Sequence, residues 1–312
     1  MSVKWLKILI SGWLAVTATG CFFTGVENTG KISDKEVSKV IYELEQRQPS
    51  ATLSIFADSL PSWELGKKFY ATDDQLRMLF EPSDQYDLDS ISLAGKVLTY
   101  EGYDTLPSIS GQKTVSIRFS NGVNHYIYHT HKALDELPVP YTIPLLIDMD
   151  MVDDIAKQLN KREVYIKTPV WYRLQDESML KGRQYIAVRI VDVLPGNKVL
   201  PLKVVFEAID NHERAFVWMS APGATMRNRD FDSMFSLFNL RLLYPNISDK
   251  TWNLIVNGNV AEEMTKEECR LSLGAPQRIS PVPDQAGMRE YWYYDGGQYL
   301  YFVDGLLKSY RK

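Results

Sequence analysis

The chain contains little cysteine, no long apolar stretch beyond its N-terminus, and no excess of basic charge. Its two cysteines, Cys21 and Cys269, can form at most one disulfide, so a disulfide-stabilised scaffold is excluded and stability must come from packing. No stretch after Cys21 reaches the roughly 18 apolar residues that a membrane-spanning helix requires. A formal net charge of -4, without a cluster of lysine and arginine, argues against nucleic acid as a partner.

The sequence also lacks the common catalytic signatures. It contains no Gly-x-Ser-x-Gly motif, no phosphate-binding loop and no dinucleotide fingerprint. Hydrophobic residues make up 45% of the chain and charged residues 24%, which is normal for a folded soluble protein. We therefore expect a non-catalytic protein without a cofactor, and 312 residues leave room for two or three domains.

The first 21 residues have the pattern of a secretory signal. Lys4 and Lys7 give a positive start, an apolar run covers residues 8–16, and residues 18–21 read Ala-Thr-Gly-Cys. The apolar run is too short to span a membrane. Small residues directly before a cysteine resemble the lipobox of bacterial lipoproteins, in which the cysteine is acylated and becomes the new N-terminus. An ordinary secretory signal with a chance cysteine at its end is the alternative.

The lipoprotein resemblance implies lipid attachment at Cys21 and a location at the outer membrane. No acidic run follows Cys21, which favours a periplasm-facing position over export to the cell surface. Residues 22–32 carry glycine, threonine and asparagine without periodicity and fit a tether. With Cys21 acylated, Cys269 has no disulfide partner, so we expect it to be buried in a core.

A helix is predicted from Ser33 to about Gln48, within an N-terminal segment of residues 33–62. Ser33 and Glu36 form a capping box, and apolar residues recur at helical spacing from residue 37 to residue 44. The apolar stripe is narrow and the polar face carries charges of both signs. Packing on the next domain is therefore favoured over a helix that lies on the membrane.

Residues 63–147 and 148–226 are predicted to form two small antiparallel β domains. Short apolar runs separated by glycine, proline and aspartate suggest an SH3-like barrel or a sandwich. Predicted strands are 67–70, 76–80, 93–100, 113–119 and 125–130 in the first domain, and 163–167, 170–174, 185–194, 199–208 and 214–219 in the second. A short helix that starts at Asp148 or Asp150 separates them.

The two β regions resemble divergent copies of one unit. Residues 65–70 align with residues 159–165 when one gap is allowed, and residues 111–119 align with residues 196–204. Chance similarity between β-rich segments is the alternative. The predicted fold class is mostly β plus α+β, with duplication of the β domain as a hypothesis.

Residues 227–247 are predicted as a helical connector centred on residues 231–243, and residues 248–312 as an α+β domain. Ser248 can cap a first helix of that domain, and Thr265 with Glu268 forms a capping box for a second. Gly274 ends the second helix. Three strands follow at 289–294, 298–303 and 306–311, joined by Asp-Gly turns. The predicted architecture is two helices on a three-stranded meander.

This C-terminal region resembles the BamE-like (SmpA/OmlA) domain of small outer-membrane lipoproteins. The resemblance rests on Met-Thr-Lys-Glu-Glu-Cys at 264–269, Leu-Gly-Ala-Pro at 273–276 and Tyr-Trp-Tyr-Tyr at 291–294. The chain departs from the family at Glu263, which is usually glycine, and at Cys269, which is usually aliphatic. Family members assist the assembly of outer-membrane β barrels. The resemblance implies the fold and a protein-binding surface for this chain, and not that role.

Three of the four histidines lie within one seven-residue span, in and just after a predicted strand, and are candidate metal ligands. His125, His129 and His131 share one parity, so their side chains can point to the same face. Two of them could reach one zinc ion, and a further ligand would have to come from elsewhere, with Asp104 and Asp135 as candidates. Histidines that merely occupy a tyrosine-rich strand are the alternative. A metal- or small-ligand-binding protein is accordingly the second functional hypothesis.

An acidic cluster accompanies the helix predicted near residue 150. Its members are Asp148, Asp150, Asp153 and Asp154. The cluster lacks the glycine and the terminal glutamate of a calcium-binding loop. Helix capping and pairing with the helix dipole explain it better.

The last strands carry more aromatic residues than the buried face of a small sheet can hold. We therefore expect a protein-binding surface formed by Tyr291, Trp292, Tyr293, Tyr299 and Tyr301. An aromatic core with tyrosine hydroxyls at its rim is the alternative. Taken together, the sequence favours a lipid-anchored binding or scaffolding component with an envelope protein as its partner. A hydrolase of unrecognised type is the third hypothesis.

Overall fold

The computed structural model describes residues 53–54, 58–82, 92–107, 113–224, 228–284 and 287–311. These residues form three antiparallel sheets and four α-helices, so the predicted mostly β, α+β class is confirmed. Cys21, the tether and the helix predicted from Ser33 lie outside the described residues. No helix among the described residues is long and apolar enough to cross a membrane.

The first domain is built on a six-stranded sheet in the spatial order β2-β5-β4-β3-β1-β6. Its strands are β1 (Lys68–Ala71), β2 (Phe80–Pro82), β3 (Val97–Pro107), β4 (Lys113–Ser120), β5 (His125–His129) and β6 (Leu146–Asp148). Aromatic rings dominate its core, where Phe119 lies 5.6 Å from Phe69 and Phe80 lies 5.5 Å from Tyr126, measured between ring centroids. The alternation of buried and exposed residues along β1 places this apolar set on one face.

Helix α1 (Met149–Leu159) follows the first sheet directly and packs on the second. The Asp148 carboxylate caps it by accepting a hydrogen bond from the Asp150 amide at 2.9 Å, as the sequence predicts. Val152, Ile155 and Leu159 are buried in the core of the second sheet. One amphipathic helix thereby joins the two β domains.

The second domain is built on a seven-stranded sheet in the spatial order β13-β7-β10-β11-β12-β8-β9. Its strands are β7 (Glu163–Ile166), β8 (Val170–Tyr172), β9 (Met179–Lys181), β10 (Ile186–Pro195), β11 (Leu202–Ala208), β12 (Arg214–Met219) and β13 (Phe235–Ser236). Trp171 is fully buried in its core and meets Phe206 edge to face, at 5.0 Å between ring centroids.

Without the edge strand β9, the second sheet has the same strand order as the first. Strands β1 to β6 then correspond to β7, β8, β10, β11, β12 and β13, in that order. β1 and β7 show the same pattern of exposure, in which the second and fourth residues are buried. A β-bulge lies at corresponding places, between Tyr100 and Gly102 in β3 and between Ile190 and Asp192 in β10. Tyr100 pairs with Phe119, and Ile190 pairs with Phe206. By this structural correspondence Phe119 is equivalent to Phe206. The sequence alignment of residues 111–119 with 196–204 instead places Phe119 at Val204, so the alignment differs from the structure by two positions.

Several predicted elements are wrong. Residues 76–80, predicted as a strand, lie largely in the 3₁₀ helix Asp74–Met78, because the Asp73 carboxylate caps its first turn through the Gln75 amide at 2.9 Å. The connector of residues 231–243 is mostly not helical. It consists of the short helix α2 (Phe231–Met234), the edge strand β13 and a 3₁₀ turn at Leu240–Leu243. Ser236 accounts for the break, since its hydroxyl bonds the backbone of Phe238 instead of continuing a helix.

The C-terminal domain has two helices on a four-stranded meander, one strand more than predicted. The helices are α3 (Asp249–Val256) and α4 (Lys266–Leu273), and the strands are β14 (Arg278–Asp284), β15 (Gly287–Tyr293), β16 (Tyr299–Val303) and β17 (Leu306–Arg311). The capping box is confirmed, because Thr265 and Glu268 bond each other's backbone amides. Gly274 ends α4 with a φ of 80°, as predicted. The additional strand, β14, is an edge strand.

A buried lysine ties the first sheet to the start of α1. The Lys67 ammonium lies 2.6 Å from Asp150, 2.9 Å from Asp148 and 3.6 Å from Asp58, and its side chain is only 3% exposed. Burial by itself lowers the pKa of Lys67, but hydrogen bonds to Asp150 and Asp148 outweigh it and raise that pKa above the ordinary value of 10.5. Lys67 is therefore charged, and it neutralises part of the acidic cluster.

Candidate functional site

The outward face of the C-terminal sheet carries a stacked tyrosine surface. Its members, which we call the tyrosine surface, are Tyr291, Tyr293, Tyr299 and Tyr301. Each is half-buried, and the ring of Tyr291 stacks on that of Tyr301 at 4.6 Å between centroids. Tyr291 also lies 6.4 Å from both Tyr293 and Tyr299. The four rings thus form one continuous group on adjacent strands.

Arginines flank the tyrosine surface. Arg278 is paired with Tyr293 across the sheet, and its guanidinium lies over that ring at 4.3 Å from the centroid. Arg311 pairs with Tyr299 on the opposite edge strand. Guanidinium groups stack favourably on aromatic faces. The result is an aromatic patch with positive charge at both sides.

Trp292 does not belong to this surface, which corrects the prediction. It is only 1% exposed, because successive residues of a strand point to opposite faces and Trp292 points toward the helices. Its ring packs on Phe302 at 4.7 Å between centroids. Its indole N–H donates to a Glu290 carboxylate oxygen at 3.0 Å. Trp292 supports the tyrosine surface from beneath without contributing to it.

Cys269 is buried in the same core, as expected. Burial, with a smaller contribution from the charge of Glu268, raises the pKa of its thiol to about 12. A thiol with such a pKa is protonated at neutral pH and is a poor nucleophile. Cys269 is therefore a small apolar core residue at the position where the resembling family has an aliphatic one.

The histidines of β5 contact carboxylates individually. His125 Nδ1 lies 2.8 Å from a Glu101 oxygen, and His129 Nε2 lies 3.0 Å from a Glu81 oxygen. His131 lies beyond the strand, with a φ of 54° and its ring centroid 6.2 Å from that of His129. Within the described ranges, no group of three or more histidine, cysteine, aspartate or glutamate residues is arranged to hold a metal ion. Asp104 instead pairs with Arg118.

His129 also joins a serine and a glutamate in a series that resembles part of a hydrolase site. Its Nδ1 lies 2.8 Å from the Ser116 hydroxyl, while its Nε2 contacts Glu81. Ser116 is only 3% exposed, so a substrate cannot reach its hydroxyl. These three residues therefore do not provide an accessible nucleophile.

A cleft of about 990 Å³ lies between the second domain and the C-terminal domain. The second domain contributes Lys167, Lys181 and Arg229 to its lining. The C-terminal domain contributes the ends of both helices, at Gly258 and residues 271–274, together with the turn that contains Asp295. The sequence alone gives no indication of this cleft, because its residues come from loops, strand ends and helix ends that only the packing of two domains brings together.

Gln184 joins the two domains beside this cleft. Its side-chain amide nitrogen lies 3.0 Å from the carbonyl oxygen of Ile255 and 2.9 Å from those of Leu271 and Ser272, and the three acceptors share its two N–H groups. The last carbonyls of a helix have no partner within the helix, so one buried glutamine satisfies carbonyls at the ends of α3 and α4. Tyr185, the next residue, adopts a φ of 60°, a conformation that a bulky residue adopts only where its surroundings enforce it.

The chain matches no protein-family model, no curated protein and no solved structure.

Proposed function

We propose that this chain is a periplasm-facing lipoprotein, anchored by acyl chains on Cys21, that acts as a non-catalytic binding component of the cell envelope. The tyrosine surface is the observation that supports the binding role. Tyrosine and arginine are among the residues most enriched at energetically dominant positions of protein interfaces. Rings that are already stacked lose little side-chain entropy when a partner covers them. The arginines favour a protein partner with an acidic rim.

The finer assignments of fold belong to the same proposal. Each β domain is assigned to an SH3-like barrel. The two domains are further assigned to a duplication of one unit, which is supported by their common strand order and by the common position of the β-bulge. The C-terminal domain is assigned to the BamE-like type. The capping box at Thr265, the helix end at Gly274 and the meander support this assignment, while the extra strand β14 is a difference. Fold similarity alone gives no function.

The lipid anchor is tested by the change Cys21→Ala. The wild-type protein purified from membranes should have the mass of the chain that begins at Cys21 plus its acyl groups. The Cys21→Ala protein should lack that added mass and move to the soluble fraction, because a hydrophobic anchor is lost. Intact mass and fractionation measure both effects. An unmodified wild-type chain in the soluble fraction would contradict the anchor and favour an ordinary secretory signal.

The tyrosine surface is tested by site-specific photocrosslinking. A photoreactive phenylalanine analogue at Tyr301 should give one discrete adduct with an envelope protein in intact cells. The additional change Arg278→Ala should weaken that adduct by about tenfold, the effect expected for an interface residue worth more than 1 kcal/mol. The yield of adduct at limiting expression measures the effect.

A matched control uses the same analogue at Met78, which is 82% exposed in the first domain. Met78 is more exposed than the half-buried Tyr301 but belongs to another domain, so it should give no such adduct. The same adduct at both positions, or one that is insensitive to Arg278→Ala, would show that the tyrosine surface is not the binding site.

A further inference from the structure

The cleft between the second and C-terminal domains has an excess of positive charge on one wall. Its described lining includes three cationic side chains and one carboxylate, that of Asp295, in a chain whose net charge is -4. Lys167 donates to the Asp232 carbonyl at 3.0 Å. Its charge also acts on the Asp232 carboxylate, so Lys167 is partly neutralised.

Lys181 and Arg229 retain their charge toward the cleft. The Lys181 ammonium donates to the Gly258 carbonyl at 2.9 Å, which uses one of its three donors and neutralises none of its charge. The Arg229 guanidinium makes no hydrogen bond or ion pair within the part of the chain that the structure describes. Two cations therefore face this space without a described carboxylate partner.

The opposite wall restricts which anion can bind. It is formed in part by the C-terminal ends of α3 and α4, where the helix dipole is negative. A compact dianion such as phosphate would be repelled by that wall. A single carboxylate carries less charge and is repelled less by that wall, and the Lys181 ammonium, which itself contacts the wall through the Gly258 carbonyl, offsets the repulsion.

The size and lining of the cleft indicate a ligand larger than one anion. A volume of about 990 Å³ lies at the upper end of the range for small-ligand pockets. The described lining mixes apolar residues such as Met234 and Leu273 with polar ones such as Thr168 and Ser233. Tyr185 is the one aromatic residue among them, so there is little aromatic face on which sugar rings could stack.

We propose that this cleft binds an acidic peptide segment whose carboxylates contact Lys181 and Arg229. A peptide offers the mixture of carboxylates, apolar side chains and polar groups that a cationic, apolar and polar lining of this size can contact. The site is separate from the tyrosine surface and does not depend on it, so either can fail without the other.

The test is affinity selection from a mixed heptapeptide library on the purified full-length protein. Selected peptides should be enriched in aspartate and glutamate, and replacing those residues by asparagine and glutamine should weaken binding by about tenfold. Arg229→Gln should weaken the best peptide by a similar factor. Ser233→Tyr should do the same by filling the cleft without changing its charge.

Two controls separate binding from folding. Lys132→Gln combined with Arg162→Gln changes exposed cations elsewhere and should leave binding unchanged, and all variants should keep the wild-type midpoint of thermal unfolding. Selection of no peptide, or of neutral and basic peptides equally, would overturn the proposal. Tighter binding of tetragalacturonate or pyrophosphate than of any selected peptide would also overturn it. The same holds if the peptides bind the Arg229→Gln and Ser233→Tyr proteins as well as they bind the wild type.

Discussion

Lys67→Met should lower the free energy of unfolding by about 3 kcal/mol, because it leaves clustered carboxylates without their buried counterion. Methionine keeps most of the lysine stem and removes only the charge. Removal of one partner from a buried ion pair typically costs about 3 to 5 kcal/mol. The lower end applies here, since the carboxylates of Asp58, Asp148 and Asp150 are 41%, 31% and 63% exposed and remain partly solvated.

The pH dependence of this effect has a definite sign. Because the folded-state pKa of Lys67 is raised above 10.5, its contribution is fully present below the pKa of the unfolded chain. The contribution is lost as pH rises through the folded-state pKa. The difference between wild type and Lys67→Met should therefore be constant near neutral pH and shrink above pH 10.5. Urea unfolding at several pH values measures it.

The neighbouring residue provides the matched control. Lys68 is exposed at the start of β1, so Lys68→Met should change stability by no more than about 0.5 kcal/mol. Adding Asp148→Asn and Asp150→Asn to Lys67→Met should restore part of the loss, since asparagine still caps α1 and the repulsion is removed. A loss equal to that of Lys68→Met would show that Lys67 has no electrostatic role.

Local signals explain which parts of the fold could be predicted from the sequence. Ser248, Thr265, Glu268 and Gly274 act through hydrogen bonds and backbone angles within a few residues, so the helix boundaries that they predict are confirmed. The edge strand β14 was missed because Pro281 and Pro283 disfavour a strand. An edge position tolerates them, since one side of the strand needs no ladder hydrogen bonds.

The candidate site could be predicted only in part, for a different reason. Four tyrosines of the predicted surface do share the outward face of the C-terminal sheet, but Trp292 alternates with Tyr291 and Tyr293 and must point the other way. The run Tyr-Trp-Tyr-Tyr has no polar alternation to indicate which face is inward. That choice is made by α4, which covers Trp292 with the Arg270 guanidinium at 5.0 Å from the ring centroid.

Gln184→Leu should lower the free energy of unfolding by about 2 kcal/mol and loosen the C-terminal domain from the second sheet. Leucine approximates the shape of the side chain but donates no hydrogen bond. Ser272 O would lose its described partner, and Leu271 O would keep only the Tyr185 hydroxyl at 3.3 Å. An unsatisfied buried acceptor costs about 1 to 3 kcal/mol.

The change should act at the interface rather than within either sheet. Amide hydrogen exchange should speed up in the last turns of α3 and α4, while the β10–β11 pairs keep their protection. Arg183→Gln is the matched control, because the adjacent Arg183 forms a partly exposed pair with Asp210 at 2.5 Å and such pairs contribute about 1 kcal/mol or less. Equal exchange rates in wild type and Gln184→Leu would mean that the side-chain hydrogen bonds of Gln184 do not hold the two domains together. The cleft would then not depend on Gln184 for its shape.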